Sequence, residues 1–293
     1  MRIAFFGLGN MGNPMALNLL KTGRYDIRVF DLDAEKGHNL LDVGAGWIDD
    51  IPATLADTDL IMTSLPGPVQ IVAFAEQSVF PHARTGSTWI DLSTNNLATC
   101  QQLLAAATAK GMHFLDAPVS GGDEGARAAS LSIYVGGDAA IFEQHQEVFA
   151  AIGKSINHLG QSGAGYAAKI SQVVLCYLHS IALSEALMLG VKAGVNASQM
   201  LEIIQNSTGR SYVADRYGPP ILNGDYDPSF ALGLALKDMR LAMELADTLG
   251  IILPMSQLVT DTYQVACDQY GKEANHLIVV KLLEDASGTP LRG

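Results

Sequence analysis

Residues 3–12 read Ile3-Ala4-Phe5-Phe6-Gly7-Leu8-Gly9-Asn10-Met11-Gly12, and a helical pattern over Pro14–Thr22 follows almost at once. An apolar run enters a tight glycine turn and leaves it as a helix. The three glycines serve different ends. Gly7 permits the turn out of the strand, Gly9 lets a pyrophosphate approach bare backbone, and Gly12 lets the helix pack closely on the sheet. The helix N-terminus then directs free N–H groups and the positive end of its dipole at the phosphates. A second strand-like run, Asp26–Phe30, completes a βαβ unit and delivers Asp31 at its end. In this setting the Gly-x-Gly-x-x-Gly spacing reads as a dinucleotide site, with Leu8, Asn10 and Met11 completing the loop. A carboxylate at Asp31 accepts hydrogen bonds from both hydroxyls of an adenosine ribose and repels a 2′-phosphate. Arg28 lies inside the strand and Lys36 well into the next helix, so neither is placed to welcome NADP, and the expected cofactor is NAD. Asp31 is equally compatible with a plain helix N-cap.

Working outward, β-type runs recur at Leu60–Ser64, Thr88–Asp91, His113–Leu115 and Ser132–Val135, with helical patterns such as Ala34–Val43 and Ala98–Lys110 between the early ones. Such alternation predicts an α/β Rossmann-type, doubly wound, mainly parallel sheet covered by helices on both faces. Gly160, Gly163 and Gly165 punctuate the chain, and strand signals then vanish. The expected organisation is a dinucleotide-binding domain over 1–163 and an all-helical domain over 164–293, the latter opening with one long helix, Ala164–Ala193. That helix is apolar on most faces and is expected to be buried on most faces. Further helices are expected at Ser198–Asn206, Leu232–Leu249, Pro254–Gln269 and His276–Leu283.

Composition narrows the function. The 293 residues carry a formal net charge of −12, which disfavours a nucleic-acid partner but leaves room for a locally positive pocket that takes one small anion. Cys100, Cys176 and Cys267 lie far apart, without disulfide or metal-ligand spacing, and read as reduced thiols. A strand-like run begins directly after Met1, so a cytoplasmic protein without a signal peptide is expected. Val173–Val195 contains His179, Ser180, Glu185 and Lys192 and reads as a buried helix rather than a membrane span. So much apolar helix in the second half predicts a homodimer or homotetramer.

Three other segments carry chemistry. Oxidising an alcohol on a nicotinamide needs a base for the hydroxyl proton and a grip on the substrate's other end. Lys169 lies in a largely apolar helix just past the expected domain boundary, where partial burial lowers a lysine's pKa and equips it as general base; a lysine snorkelling to solvent is the plainer reading. Ser120-Gly121-Gly122 offers a hydroxyl and unobstructed N–H groups, a small anion nest suited to a carboxylate, or else an ordinary turn. Leu65-Pro66 and Ser93-Thr94 follow strands at their carboxyl ends, where open α/β sheets bind ligands.

These segments stand in order within longer motifs: Gly7–Ala16, Asp116-Ala117-Pro118-Val119-Ser120-Gly121-Gly122, Gly165-Tyr166-Ala167-Ala168-Lys169 and Lys237-Asp238. In this the chain resembles, over nearly its whole length, the β-hydroxyacid dehydrogenases, which include 3-hydroxyisobutyrate dehydrogenases. The resemblance implies hydride transfer between NAD and the hydroxyl carbon of a small 3-hydroxy acid, with Lys169 as acid/base and Ser120, Gly121 and Gly122 holding the substrate. It also implies that Leu65, Pro66, Gln70 and Thr94 line the cofactor, that Lys237 reaches it, and that Asp238 supports the site. Phe230 and the Thr208–Ser211 turn are weaker candidates. Two departures stand out. Relatives usually carry asparagine three and four residues after the lysine, where this chain has Gln172 and Val173; Gln172 is the only one of the two able to hydrogen-bond a substrate. Relatives often read Gly-Thr-Leu where this chain has Ala129-Ser130-Leu131. The substrate therefore stays open among 3-hydroxy acids, β-hydroxy amino acids and semialdehyde acids. Two other readings are an imine reductase, whose members generally lack the lysine, and a module that binds NAD(H) without turnover.

Overall fold

A computed structural model describes residues 1–293, which form two compact units, Met1–Lys169 and Ile170–Gly293. In the first, six strands make one parallel sheet: β1 (Arg2–Phe6), β2 (Asp26–Phe30), β3 (Gly46–Trp47), β4 (Leu60–Thr63), β5 (Thr88–Asp91) and β6 (His113–Asp116), in the order β3-β2-β1-β4-β5-β6. Strand β1 is central, with Ile3 opposite Ile27 on one side and Leu60 on the other. Successive side chains feed opposite faces, so Ile3, Phe5, Met62 and Ile90 join one core and Ala4, Phe6, Ile61 and Trp89 another. Both faces are apolar, as a parallel sheet covered on both sides requires. The chain order reverses between β1 and β4, beside the glycine turn, which is where such sheets bind ligands.

The expected Rossmann-type architecture is observed, with differences at the margins. Strand β3 spans two residues, too few to show a period. The run ending at Val135 is strand β8 (Leu131–Val135), and it belongs to a separate three-stranded sheet rather than to the main one. That sheet pairs β7 (Val119–Ser120) antiparallel and β9 (Gly153–His158) parallel to β8. Strand β9, Gly-Lys-Ser-Ile-Asn-His, is a polar edge strand and gave no apolar signal. Between β1 and β2, helix α1 (Gly12–Lys21) is tied to the short helix Gly122–Arg127 through Asn18 Nδ2, which donates to the Ala126 carbonyl at 2.7 Å.

The second unit is helical. The long helix α2 (Ala164–Lys192) begins in the first unit and continues into this one; α3 (Ala197–Gln205), α4 (Tyr212–Asn223), α5 (Leu232–Leu249) and α6 (Pro254–Tyr270) follow. Helix α4 contains Pro219 and Pro220, which argue for a break, yet Ser211 caps its start by accepting from Ala214 N at 3.0 Å and left-handed Gly224 ends it. Helix α2 is long and apolar enough to cross a membrane by length and composition alone. Its buried positions, Ile170, Val173, Tyr177, Ser180, Leu183 and Leu187, recur at three- and four-residue spacing. The expectation of burial on most faces is corrected: Leu175 and Leu189 are 53% and 76% exposed. The stripe that packs is narrower than the apolar composition suggests.

Ala129 occupies left-handed backbone, φ 51°. Left-handed backbone costs a residue with a Cβ about 1–2 kcal/mol. Ala129→Gly should therefore raise stability by about 1 kcal/mol, read as a higher urea midpoint at unchanged slope. An unchanged or lower midpoint would show that the alanine is unstrained.

Candidate active site

The glycine loop is built as its sequence requires. Gly7 N donates to Phe30 O at 2.9 Å and Gly7 takes φ 94°. A Cβ on Gly12 would stand 1.8 Å from the Gly7 carbonyl oxygen, so this contact closes the turn and admits no side chain. A Cβ on Gly9 would meet nothing within 4 Å. Gly9 is thus bare where no protein atom demands it, which fits a pyrophosphate passing over its backbone. Met11 stands at the N-cap of α1 and supplies no side-chain cap. Loop, uncapped helix start and open Gly9 together fit a dinucleotide.

At the end of β2, Asp31 Oδ2 accepts from Leu8 N at 2.7 Å and Oδ1 from Asp33 N at 3.0 Å. The helix cap is Asp33, whose side chain accepts from Glu35 N, so Asp31 is no N-cap. Lys36 must also be moved from its expected place: it lies in a short 3-10 turn, Ala34–Gly37, and its Nζ is 3.3 Å from Asp31 Oδ1. Burial disfavours the Asp31 charge, but the N–H groups of Asp33 and Leu8 and the Lys36 ammonium outweigh it and hold the carboxyl below its ordinary value. Asn13 grips this turn by donating to Lys36 O at 2.6 Å and exchanging hydrogen bonds with Asn39.

The carboxyl ends of β4, β5 and β6 carry a buried polar network. Asp91, the last residue of β5, accepts from Thr63 Oγ1 at 2.7 Å, Asn95 Nδ2 at 2.6 Å, Ser93 N at 3.2 Å and, by a short bond, Tyr166 OH. Trp89 Nε1 donates to Thr63 Oγ1 at 3.0 Å, and Leu65 N donates to Ser93 Oγ at 2.9 Å, tying the loops after β4 and β5 together. On the neighbouring strand end, Asp116 accepts from Gly163 N at 2.7 Å and Tyr166 N at 3.1 Å, and so caps α2 from the sheet. Burial raises both carboxyls, Asp116 to about 6 despite its N–H donors. Lys169, half-buried, follows the fully buried Tyr166 by three residues.

Ser120 ends β7 opposite Ser132; Gly121 and Gly122 are exposed, in left-handed backbone, and open the helix Gly122–Arg127. Leu65 and Thr94 are partly buried, Pro66 is exposed in the loop after β4, and Gln70 is exposed in the first turn of the helix Pro68–Phe74. In the second unit, Lys237 Nζ is 3.0 Å from Asp238 Oδ1, and Tyr177 OH donates to Asp238 Oδ2 at 3.0 Å. Asp238 is buried. Val173 is buried in the helical core and Gln172 is half-buried beside it in sequence. Phe230 packs against His276, ring centroids 5.8 Å apart. A cavity of about 300 Å³ lined by Ser198, Leu201, Gln205, Pro219, Leu222, Asn223 and Gly293 contains none of the expected site residues. Sequence reasoning gave no role to Asp91, Tyr166 or Tyr177, although Tyr166 lies inside a quoted motif; the buried carboxylate at a strand end was the usable signal.

Residues 2–160 match the NAD-binding domain of 6-phosphogluconate dehydrogenase, and residues 163–283 match the family described as NAD-binding of NADP-dependent 3-hydroxyisobutyrate dehydrogenase. The chain belongs to the β-hydroxyacid dehydrogenase family. It is accordingly an NAD(P)-dependent oxidoreductase acting on a CH–OH group. The 2-(hydroxymethyl)glutarate dehydrogenase of Eubacterium barkeri is 36% identical over 295 residues, covering 100% of this chain and 98% of the relative. The NAD-dependent L-serine dehydrogenase of Pseudomonas aeruginosa is 34% identical, covering 98% and 99%. Among solved structures, Mycobacterium tuberculosis 3-hydroxyisobutyrate dehydrogenase with L-serine superposes with TM-score 0.87 at 31% identity, covering 96% of this chain and 98% of that one.

In this member of the family, Gly9→Ala should leave the melting temperature within about 2 °C of the parent, since its methyl meets no protein atom. The same change should weaken NADH binding at least tenfold in a fluorescence titration. Unchanged affinity would remove the pyrophosphate from this loop.

Proposed function

We propose that this protein exchanges a hydride between NAD and the hydroxyl carbon of a small 3-hydroxy carboxylic acid, with Lys169 as general acid/base. The observation that carries the reading is the location of Lys169, one turn beyond Tyr166 on a helix start bonded to the carboxyl ends of β5 and β6, in the same sheet whose β1 ends in the glycine loop. When bound, the nicotinamide supplies the hydride acceptor for oxidation and the hydride donor for reduction. The neutral Lys169 amine takes the hydroxyl proton as the C–O bond becomes a carbonyl; in the reverse direction the ammonium returns it. Ser120 Oγ and the N–H groups of Gly121 and Gly122 receive the carboxylate, and Gln172 supplies a hydrogen bond near the reacting carbon. Gly7, Leu8, Gly9, Asn10, Met11 and Gly12 hold the pyrophosphate. Leu65, Pro66, Gln70 and Thr94 flank the nicotinamide, Lys237 reaches the cofactor, and Asp238 fixes Lys237. The names of the relatives support three candidate substrates, 3-hydroxyisobutyrate, L-serine and 2-(hydroxymethyl)glutarate.

NAD is the proposed cofactor because Asp31 keeps its carboxylate charged where a 2′-phosphate would lie. Lys36 pairs with that carboxylate and is therefore committed to it. The exposed apolar side chains of α2 support assembly as a homodimer or homotetramer.

The test is NADH absorbance with the three hydroxy acids. Lys169→Ala should lower kcat by 10²-fold or more while the Kd for NADH stays within about threefold; near-normal turnover would remove Lys169 from the chemistry. Asp31→Ser removes the repulsion and releases Lys36. It should raise the NADP/NAD ratio of kcat/KM at least tenfold, equivalent to about 1.4 kcal/mol. A constant ratio would place selectivity elsewhere.

A further inference from the structure

We propose that Asp116, and Tyr166 through its bond to Asp91, are positioning residues that hold the Lys169 amine at a fixed place relative to the glycine loop. The inference rests on Lys169 being the acid/base. The first turn of a helix leaves N–H groups without partners. Here Asp116, projecting from the end of β6, accepts from Gly163 N and Tyr166 N, so the cap of α2 comes from the sheet. Gly165 lets the turn dock without clearance, because a Cβ there would stand 2.2 Å from the Tyr134 carbonyl oxygen. The Tyr166 hydroxyl reaches the next strand end and donates to Asp91, which Thr63 and Asn95 hold in turn. Asp91 and Asp116 are register partners on adjacent strands. The helix start is thus fixed at two points, through its backbone and through a side chain. Both anchors lie within six residues of Lys169 in α2 or the residue preceding it. Fixing the helix end alone would need only the cap. The second bond fixes rotation about the helix axis, and rotation is what decides where the side chain of Lys169 points.

Tyr166→Phe keeps the ring and deletes the second anchor; Asp116→Asn keeps the shape and turns N–H donors toward the amide. Displacing a catalytic group by about 1 Å costs up to 10²-fold in rate. With L-serine, 3-hydroxyisobutyrate and 2-(hydroxymethyl)glutarate, each variant should lose at least tenfold in kcat while KM for NAD and the Kd for NADH stay within about threefold. Independently of turnover, pH-resolved acylation followed by peptide mass spectrometry should show the Lys169 reaction rate altered at least threefold, with exposed Lys154 unchanged. Wild-type kcat and Lys169 labelling in both variants, alongside an inactive Lys169→Ala enzyme, would overturn the positioning role and leave the base assignment standing. An active Lys169→Ala enzyme would instead overturn the base assignment, and the positioning role with it. If Asp116→Asn does not fold, Tyr166→Phe decides alone.

Discussion

Two carboxylates at the ends of adjacent parallel strands organise the dinucleotide-binding half of this enzyme. Asp91 and Asp116 are fully buried, and a buried carboxylate persists only when donors converge on it. Their donors come from the loops after β4 and β5 and from the first turn of α2. Segments remote in sequence are thereby drawn to one place, at the carboxyl edge of the sheet. Burial raises both groups, and the hydrogen bonds that converge on them act in the opposite direction.

Much of the sheet was legible because its signals are local. Strands β1, β2 and β5 have the bounds that their apolar runs imply, and the glycine loop declares its own turn. Elements whose reason is tertiary were not legible. Strand β9 is polar because it lies at an edge, and α4 survives two prolines because its cap and packing outweigh the lost N–H groups. The buried network was hidden for the same reason: Asp91 and Tyr166 are bonded across 75 residues of chain, and no short window contains both. Of the candidate site, the glycine loop was readable from its own spacing at Gly7, Gly9 and Gly12, while Ser120 and Lys169 rest on their motifs. The surroundings of Lys36 and Asp238 were not, since each depends on one side-chain partner that only folding reveals.

The acidic surface and an anionic cofactor are reconciled locally. A net charge of −12 sets the long-range field, but over a few ångströms the uncapped start of α1 presents N–H groups. Asp31 keeps a negative charge beside the same loop, and it does so because two backbone N–H groups and Lys36 sustain it. The groups that fit the pyrophosphate and the charge beside them are therefore separate and can vary independently.

Helix α2 runs unbroken across the boundary between the two units, which falls at Lys169 and Ile170. Most multidomain enzymes join their parts by loops, which tolerate added or lost residues. A helical joint does not. Each residue inserted or removed turns everything beyond it by about 100° and shifts it by about 1.5 Å. A length change in this helix keeps the residues beyond it in phase only when it comes in near-whole turns, seven residues being about two. The phase of this helix is thus recorded in spacing rather than in residue identity.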